Sequence, residues 1–326
     1  MFQFPALLRK LLCALYPLSA LLLLLFLNPS LLPAQEPQPL QRHFRLHYSN
    51  DFFTATDYYY TQGVRMELAL PAFRFLRKTH LFPGLKNGTD ELYAISFNHQ
   101  CFTPTSIRED IILVNDRPFA GAISLAAQRI VTDTAAAVRI TSELQAGGIG
   151  ACSGCAETQT TIHRWLNGVT PHGWQHQVNN SPLLNYTLTV EKGLLQRESF
   201  SVHTAFTAQA GSLYTNAQAA LAFRAGRMYP LFNPWQKNKP FRIWITGTGS
   251  AIAVGYNATL QGGLFGKESV YTIPADEIKR IVWRADYGLE LAWRGLHVHY
   301  LFVDLSPEFD TGMRHRWGHC KIGVAF

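Results

Sequence analysis

The stretch SNDFFTATDYYYTQG, Ser49 to Gly63, sets Asn50, Asp51, Asp57 and Thr61 among aromatic residues. An amide, carboxylates and a hydroxyl in such company either stabilise a turn between two strands or are held for chemistry as oxygen donors and hydrogen-bonding groups. A second set stands in QTTIH, where Gln159 and His163 are four residues apart and share one face if the segment is helical. Histidine can take up and return a proton near neutral pH, and a glutamine beside it can join its hydrogen-bond network. A third candidate is Arg117 in NDRPFAG. A guanidinium there can hold a phosphate or carboxylate, or it can form an interior salt bridge with a neighbouring acid. No Gly-x-Ser-x-Gly elbow is present, so a serine nucleophile is not suggested.

The cysteines offer less. Cys152 and Cys155 form a C-x-x-C without a second such pair, which leaves zinc two ligands short. In an oxidising compartment a local Cys152–Cys155 disulfide is expected. Cys101 and Cys320 fall on distant strands, where they either pair or remain buried thiols.

These residues need a scaffold, and the scaffold reads as β. In LNYTLTVE, Leu184, Tyr186, Leu188 and Val190 take one face; Asn185, Thr187, Thr189 and Glu191 take the other. FSVHTAFTAQA repeats the pattern, with Phe200, Val202, Thr204 and Phe206 against Ser201, His203, Ala205 and Thr207. Period-two alternation gives one apolar and one polar face. Twelve such segments are expected near 43–50, 58–70, 91–101, 117–130, 134–148, 183–194, 198–210, 214–226, 239–254, 280–293, 295–305 and 315–326. An even number of strands, short turns on one side and long loops on the other suit a membrane barrel. The chain also ends in an alternating strand with terminal Phe326. A soluble β-sandwich is the competing architecture. Between the fifth and sixth strands AETQTTIHRWLNG breaks the alternation and predicts a helix of about three turns ending at Gly168.

Composition agrees. Only 16% of the 326 residues are charged, below the roughly 25% of a soluble domain. Residues 1–34 read as a signal peptide, with Arg9 and Lys10 ahead of an apolar run and Ala34 as the cleavage position. Residues 35–326 then form a single domain, with no later apolar run approaching the ~18 residues of a spanning helix. Only helices or closed barrels satisfy their backbone inside lipid. The net charge of +7 is scattered, with no recognition motif, so nucleic acid is not a partner, whereas an anionic lipid is.

Together these motifs resemble the outer-membrane lipid A 3'-O-deacylases. SNDFF resembles that family's first-strand Asn-Asp element, and DYYYTQG its Asp…Tyr-Thr-x-Gly element. NDRPFAG, QTTIH, HGWQHQVNN and YNATLQGG resemble further family elements, in the same order along nearly the whole mature chain. The resemblance implies an all-β, twelve-stranded antiparallel transmembrane barrel with a short helix near its extracellular end, in the bacterial outer membrane. It implies hydrolysis of the 3'-linked acyloxyacyl group from lipid A of lipopolysaccharide, aided by calcium. His163 carries over as general base, Gln159 as its neighbour, and Asn50, Asp51 and Thr61 as site residues. Asn50 and Asp51 are suitable oxygen donors for calcium, and Arg117 is a candidate substrate contact. A monomer is expected. The chain departs from the family in GACSGCAE before the helix and in Val169 and Thr170, which stand where some members carry an acid. Other readings of the scaffold are an outer-membrane phospholipase and a non-enzymatic channel or surface module.

Overall fold

The computed structural model describes residues 42–54, 56, 58–232 and 241–326. Segment 1–34 and Asp57 therefore lie outside the described residues. The described residues form one closed antiparallel barrel in which each strand pairs with its sequence neighbours and β1 closes on β12. The strands are β1 (His43–Asn50), β2 (Tyr59–Ala69), β3 (Asp90–Thr103), β4 (Ala120–Asp133), β5 (Val138–Ile149) and β6 (Ser181–Gln196). They continue as β7 (Phe200–Gly211), β8 (Tyr214–Arg227), β9 (Phe241–Asn257), β10 (Ile281–Trp293), β11 (Leu296–Leu305) and β12 (His315–Ala325). All twelve expected segments are strands. His43 pairs with Ala325, so β1 begins where β12 ends, at the terminus end of the barrel.

The alternation is inverted relative to a soluble protein. Leu184, Phe206, Leu221, Ile245 and Trp283 are exposed on the outer wall, while Asn185, Ser201 and Arg224 are buried inside. Apolar side chains face lipid and polar ones fill the interior. Several interior charges are paired: Glu67 takes His43 and Arg45 at 3.0 Å, and Arg65 bridges to Glu143 at 2.6 Å. Paired in this way, each charge offsets much of the desolvation cost of its partner.

Loop lengths do not segregate by end as the sequence suggested. Long connections at the end remote from the termini span 51–58, 104–119, 150–180, 258–280 and 306–314, but the two-residue turn 212–213 lies there too. At the terminus end the 70–89 connection is also long, because it folds a 3-10 helix, Pro71–Lys78, whose Leu76 packs with Phe82 against Tyr93.

At the remote end the loops are stitched together over the interior. Asp116 Oδ2 accepts the Thr105 amide at 2.8 Å, and Tyr271 donates its hydroxyl to the Asp116 carbonyl at 3.0 Å. Burial holds the Tyr271 phenol above its ordinary value. Asn257 caps the short helix Ala258–Gln261 by accepting the Thr259 amide. Much of NDRPFAG and YNATLQGG is thus occupied in fixing this end of the barrel.

Candidate active site

The helix α1 (Cys155–Leu166) interrupts the strands as expected, although it starts at Cys155 and ends at an Asn167 cap with φ of 53°. Its place follows from strand parity. Asn98, Gln100 and Phe102 of β3 line the interior cavity of about 490 Å³, so Cys101 points outward. Cys101 is disulfide-bonded to Cys155, with 5.7 Å between their Cα atoms. The helix is therefore stapled to the outer wall of the barrel. This corrects the expected Cys152–Cys155 bridge. The first residue of the helix faces the wall, while Cys152, in the preceding 3-10 turn, is exposed and directs its thiol to the Ile149 carbonyl. Cys320 is likewise free. Gly121 of β4 makes the close approach possible: a Cβ there would lie 2.0 Å from Ser153 Oγ and 2.7 Å from Cys155 Sγ.

The same parity governs β1. His47 and Ser49 line the interior, which puts Tyr48 and Asn50 on the outer face. Asn50 Nδ2 donates to the Thr61 carbonyl at 2.7 Å and to Tyr48 Oη at 3.2 Å, and Asn50 Oδ1 accepts the Phe52 amide at 2.7 Å. Thr61 sits in a β-bulge, where the register with β3 shifts between Tyr60 and Gln62. A bulge leaves its extra residue out of the ladder and re-aims its side chain. Buried Thr61 thereby meets buried Gln159, whose Nε2 lies 3.5 Å from Thr61 Oγ1. Gln159 Oε1 accepts the indole N–H of Trp174 at 2.7 Å.

His163 lies one helical turn beyond Gln159. Its Nδ1 is 2.6 Å from the Val169 carbonyl. A carbonyl can only accept, so in the neutral imidazole Nδ1 carries the proton and Nε2 presents the lone pair. Nε2 makes no hydrogen bond to a described residue. The backbone carbonyl of Val169 thus sets the tautomer of His163.

The structure brings Asn50, Thr61 and Gln159 into one hydrogen-bonded set on the outer wall, with His163 on the same helix. Asp51 is buried beside Asn50 and opens the 3-10 turn Asp51–Thr54. Its Oδ2 accepts the Tyr58 amide at 2.8 Å, so Asp51 also stabilises the bend. Arg117 is not part of this set. It is buried in the interior, over the Phe102 ring, with Nη1 2.5 Å from Glu308 Oε2, which is the interior salt bridge. Trp174 was not singled out in the sequence. Its signal was the Gly-Trp pair of HGWQHQVNN: Gly173 has φ of 94°, and a Cβ there would lie 2.7 Å from Phe119, the ring on which Trp174 packs.

For a cation, Asp51 and Asn50 Oδ1 supply oxygen donors only, the type calcium takes. Each oxygen that already accepts one hydrogen bond keeps a second lone pair, and Asp51 brings the charge. The donor set fits a hard cation in kind. The cluster of His99, Cys101 and Cys155 elsewhere contains the two disulfide cysteines.

The model of the outer membrane protein LpxR family matches residues 18–326. The chain belongs to the LpxR family. The barrel accordingly resides in the bacterial outer membrane, among the lipid A deacylases. Among solved structures, LpxR from Salmonella typhimurium matches with a TM-score of 0.70 at 16% identity, covering 87% of this chain and 100% of that one. The β domain of the Bordetella autotransporter BrkA aligns with a TM-score of 0.44 at 8% identity over 88% of this chain and 99% of that one. No curated protein sequence matches. In this LpxR-family chain the candidate groups sit outside the lumen, between the strand wall and α1.

Proposed function

We propose that this chain hydrolyses the ester of the 3'-linked acyloxyacyl group of lipid A as a monomer, with His163 as general base and with the aid of calcium. The observation that carries this reading is the position of the polar set. Asn50, Thr61 and Gln159 lie between the lipid-facing wall and α1, at the barrel end away from the termini. An acyl ester near the headgroup can reach such a site without leaving the leaflet.

His163 Nε2 takes the proton of the attacking water, since Val169 holds the ring in the tautomer that leaves Nε2 free. Gln159 is fixed by Trp174, and its amide keeps Thr61 Oγ1 oriented, so the threonine hydroxyl proton is available to the water or to the ester. Asn50 positions the bulged Thr61 backbone. Asp51 and the Asn50 carbonyl would hold calcium, which supplies polarisation of the ester carbonyl when bound.

The test is mass spectrometry of lipid A incubated with purified protein, with and without calcium. Loss of one acyloxyacyl unit is expected. Release of fatty acid from glycerophospholipid instead would make the chain a phospholipase, and unchanged lipids with a folded barrel would leave a scaffold without this activity.

A further inference from the structure

On the outer face of β8, β9 and β10 the large lipid-facing side chains give way to small ones. Ala219, Gly249, Ala251 and Ala285 floor a groove of about 670 Å³, flanked by Leu221 and Trp283. A Cβ on Gly249 would meet nothing within 4 Å, so the floor is open to the outside rather than filled by a neighbouring side chain. Leu221 and Trp283 are 55% and 64% exposed at its edges. The depression is apolar and lipid-facing, which suits an alkyl chain.

The groove does not end in apolar surface. At its upper rim, toward the end of the barrel remote from the termini, stand Asp304 and Arg314. Arg314 donates Nε and Nη2 to the two oxygens of Asp304, and Arg316 donates Nε and Nη2 to Asp304 Oδ2. Both guanidiniums therefore spend one edge on the same carboxylate. Nη1 of each makes no hydrogen bond to a described residue, and the two side chains are 69% and 46% exposed. Two guanidiniums on one carboxylate leave a net positive charge, pre-oriented at headgroup depth. Planar, fixed arginine pairs suit the oxygens of a phosphate, and a dianionic monoester more than a singly charged diester.

We propose that this groove and its two arginines form a binding site for a phosphorylated glycolipid of the outer leaflet, with one acyl chain along Ala219, Gly249 and Ala285 and a phosphate monoester on Arg314 and Arg316. The site stands on the lipid-facing placement of the wall and not on the hydrolytic reading. It nevertheless adjoins the candidate active site. Thr54 and Thr56, in the connection that begins at Asp51, donate to the Arg316 carbonyl at 2.8 and 3.2 Å, and Tyr58 donates to that of Arg314 at 3.1 Å.

Native mass spectrometry of the full chain in detergent, on a His163→Ala background so that turnover cannot intervene, tests the site. The probes are lipid A, dephosphorylated lipid A and a diester glycerophospholipid. Replacing both arginines (R314Q with R316Q) is expected to weaken lipid A binding about tenfold and to leave binding of the dephosphorylated form unchanged. Gly249→Leu, which fills the groove from a position with room for a side chain, is expected to weaken both lipid A forms. Heat-modifiability confirms that each variant is folded. Equal lipid A binding by the His163→Ala parent and both variants would overturn the proposal, as would a preference for the diester phospholipid.

Discussion

Trp174 donates its indole N–H to Gln159 Oε1 at 2.7 Å, which turns the other end of the same amide toward Thr61 Oγ1. A buried amide held at both ends has one orientation, and here it links a loop, a helix and a bulged strand. Trp174→Phe keeps the aromatic packing on Phe119 and removes only the donor. An unpaired buried carbonyl costs roughly 1–3 kcal/mol, which the amide can partly recover by rotating away from Thr61. The expected result is turnover lowered about tenfold with unchanged heat-modifiability, read by mass spectrometry of lipid A products. Wild-type turnover in that variant would show that Gln159 does not depend on Trp174.

His163→Asn is a sharper test of the base than His163→Ala. The asparagine amide can still donate to the Val169 carbonyl, so the end of α1 keeps its contact, but no lone pair remains at the Nε2 position. Both variants are expected to fold as heat-modifiable barrels and to lose on the order of 10²–10⁴-fold in rate. Substantial activity in His163→Asn would remove the proton-transfer role and leave His163 as a helix-terminating contact.

The wall was far more legible in the sequence than the contacts of the site. Period-two alternation is a direct imprint of a sheet with lipid on one side, so β6 and β7 could each be read from a single short stretch. The bulge at Thr61 has no such imprint, because it depends on how β2 pairs with β3. The Val169 carbonyl is equally silent, since every residue carries one. Cys155 was misassigned for a related reason: C-x-x-C spacing describes proximity along the chain, whereas the helix turns Cys155 toward Cys101, 54 residues away in sequence. Arg117 was legible as either a substrate contact or an interior salt bridge, but its partner was not, because Glu308 comes from a distant loop.

The Cys101–Cys155 bridge gives a third expectation. α1 has few apolar residues facing the wall: Cys155 and Gln159 are its buried side chains. Cross-linking across such a separation restricts the open chain by on the order of 4 kcal/mol, here applied to a helix with little packing of its own. Replacing both cysteines with serine should leave the strand ladder intact while loosening α1. Proteolysis within 150–180 should become faster and deacylation slower, and reduction of the wild type should reproduce both effects. Cys152→Ser should change neither. Peptide mapping that found Cys152 linked to Cys155 would overturn the assignment.

One substitution separates the bend that Asp51 holds from the proposed cation role. Its Oδ2 accepts the Tyr58 amide at 2.8 Å, which holds the connection between β1 and β2, and its charge is what the Asn50–Asp51 pair offers a cation. Asp51→Asn keeps a carbonyl oxygen for Tyr58 and removes the charge. If the pair holds calcium, the variant should fold normally and need at least tenfold more calcium for half-maximal activity, since calcium affinity follows the charge of its ligands. A chelator should silence the wild type reversibly. Asp51→Ala, which loses both the carbonyl oxygen and the charge, should lose activity at every calcium concentration and loosen the bend as well. The comparison is decisive in one direction: an Asp51→Asn enzyme with the wild-type calcium requirement would leave Asp51 with the bend alone and place the cation elsewhere.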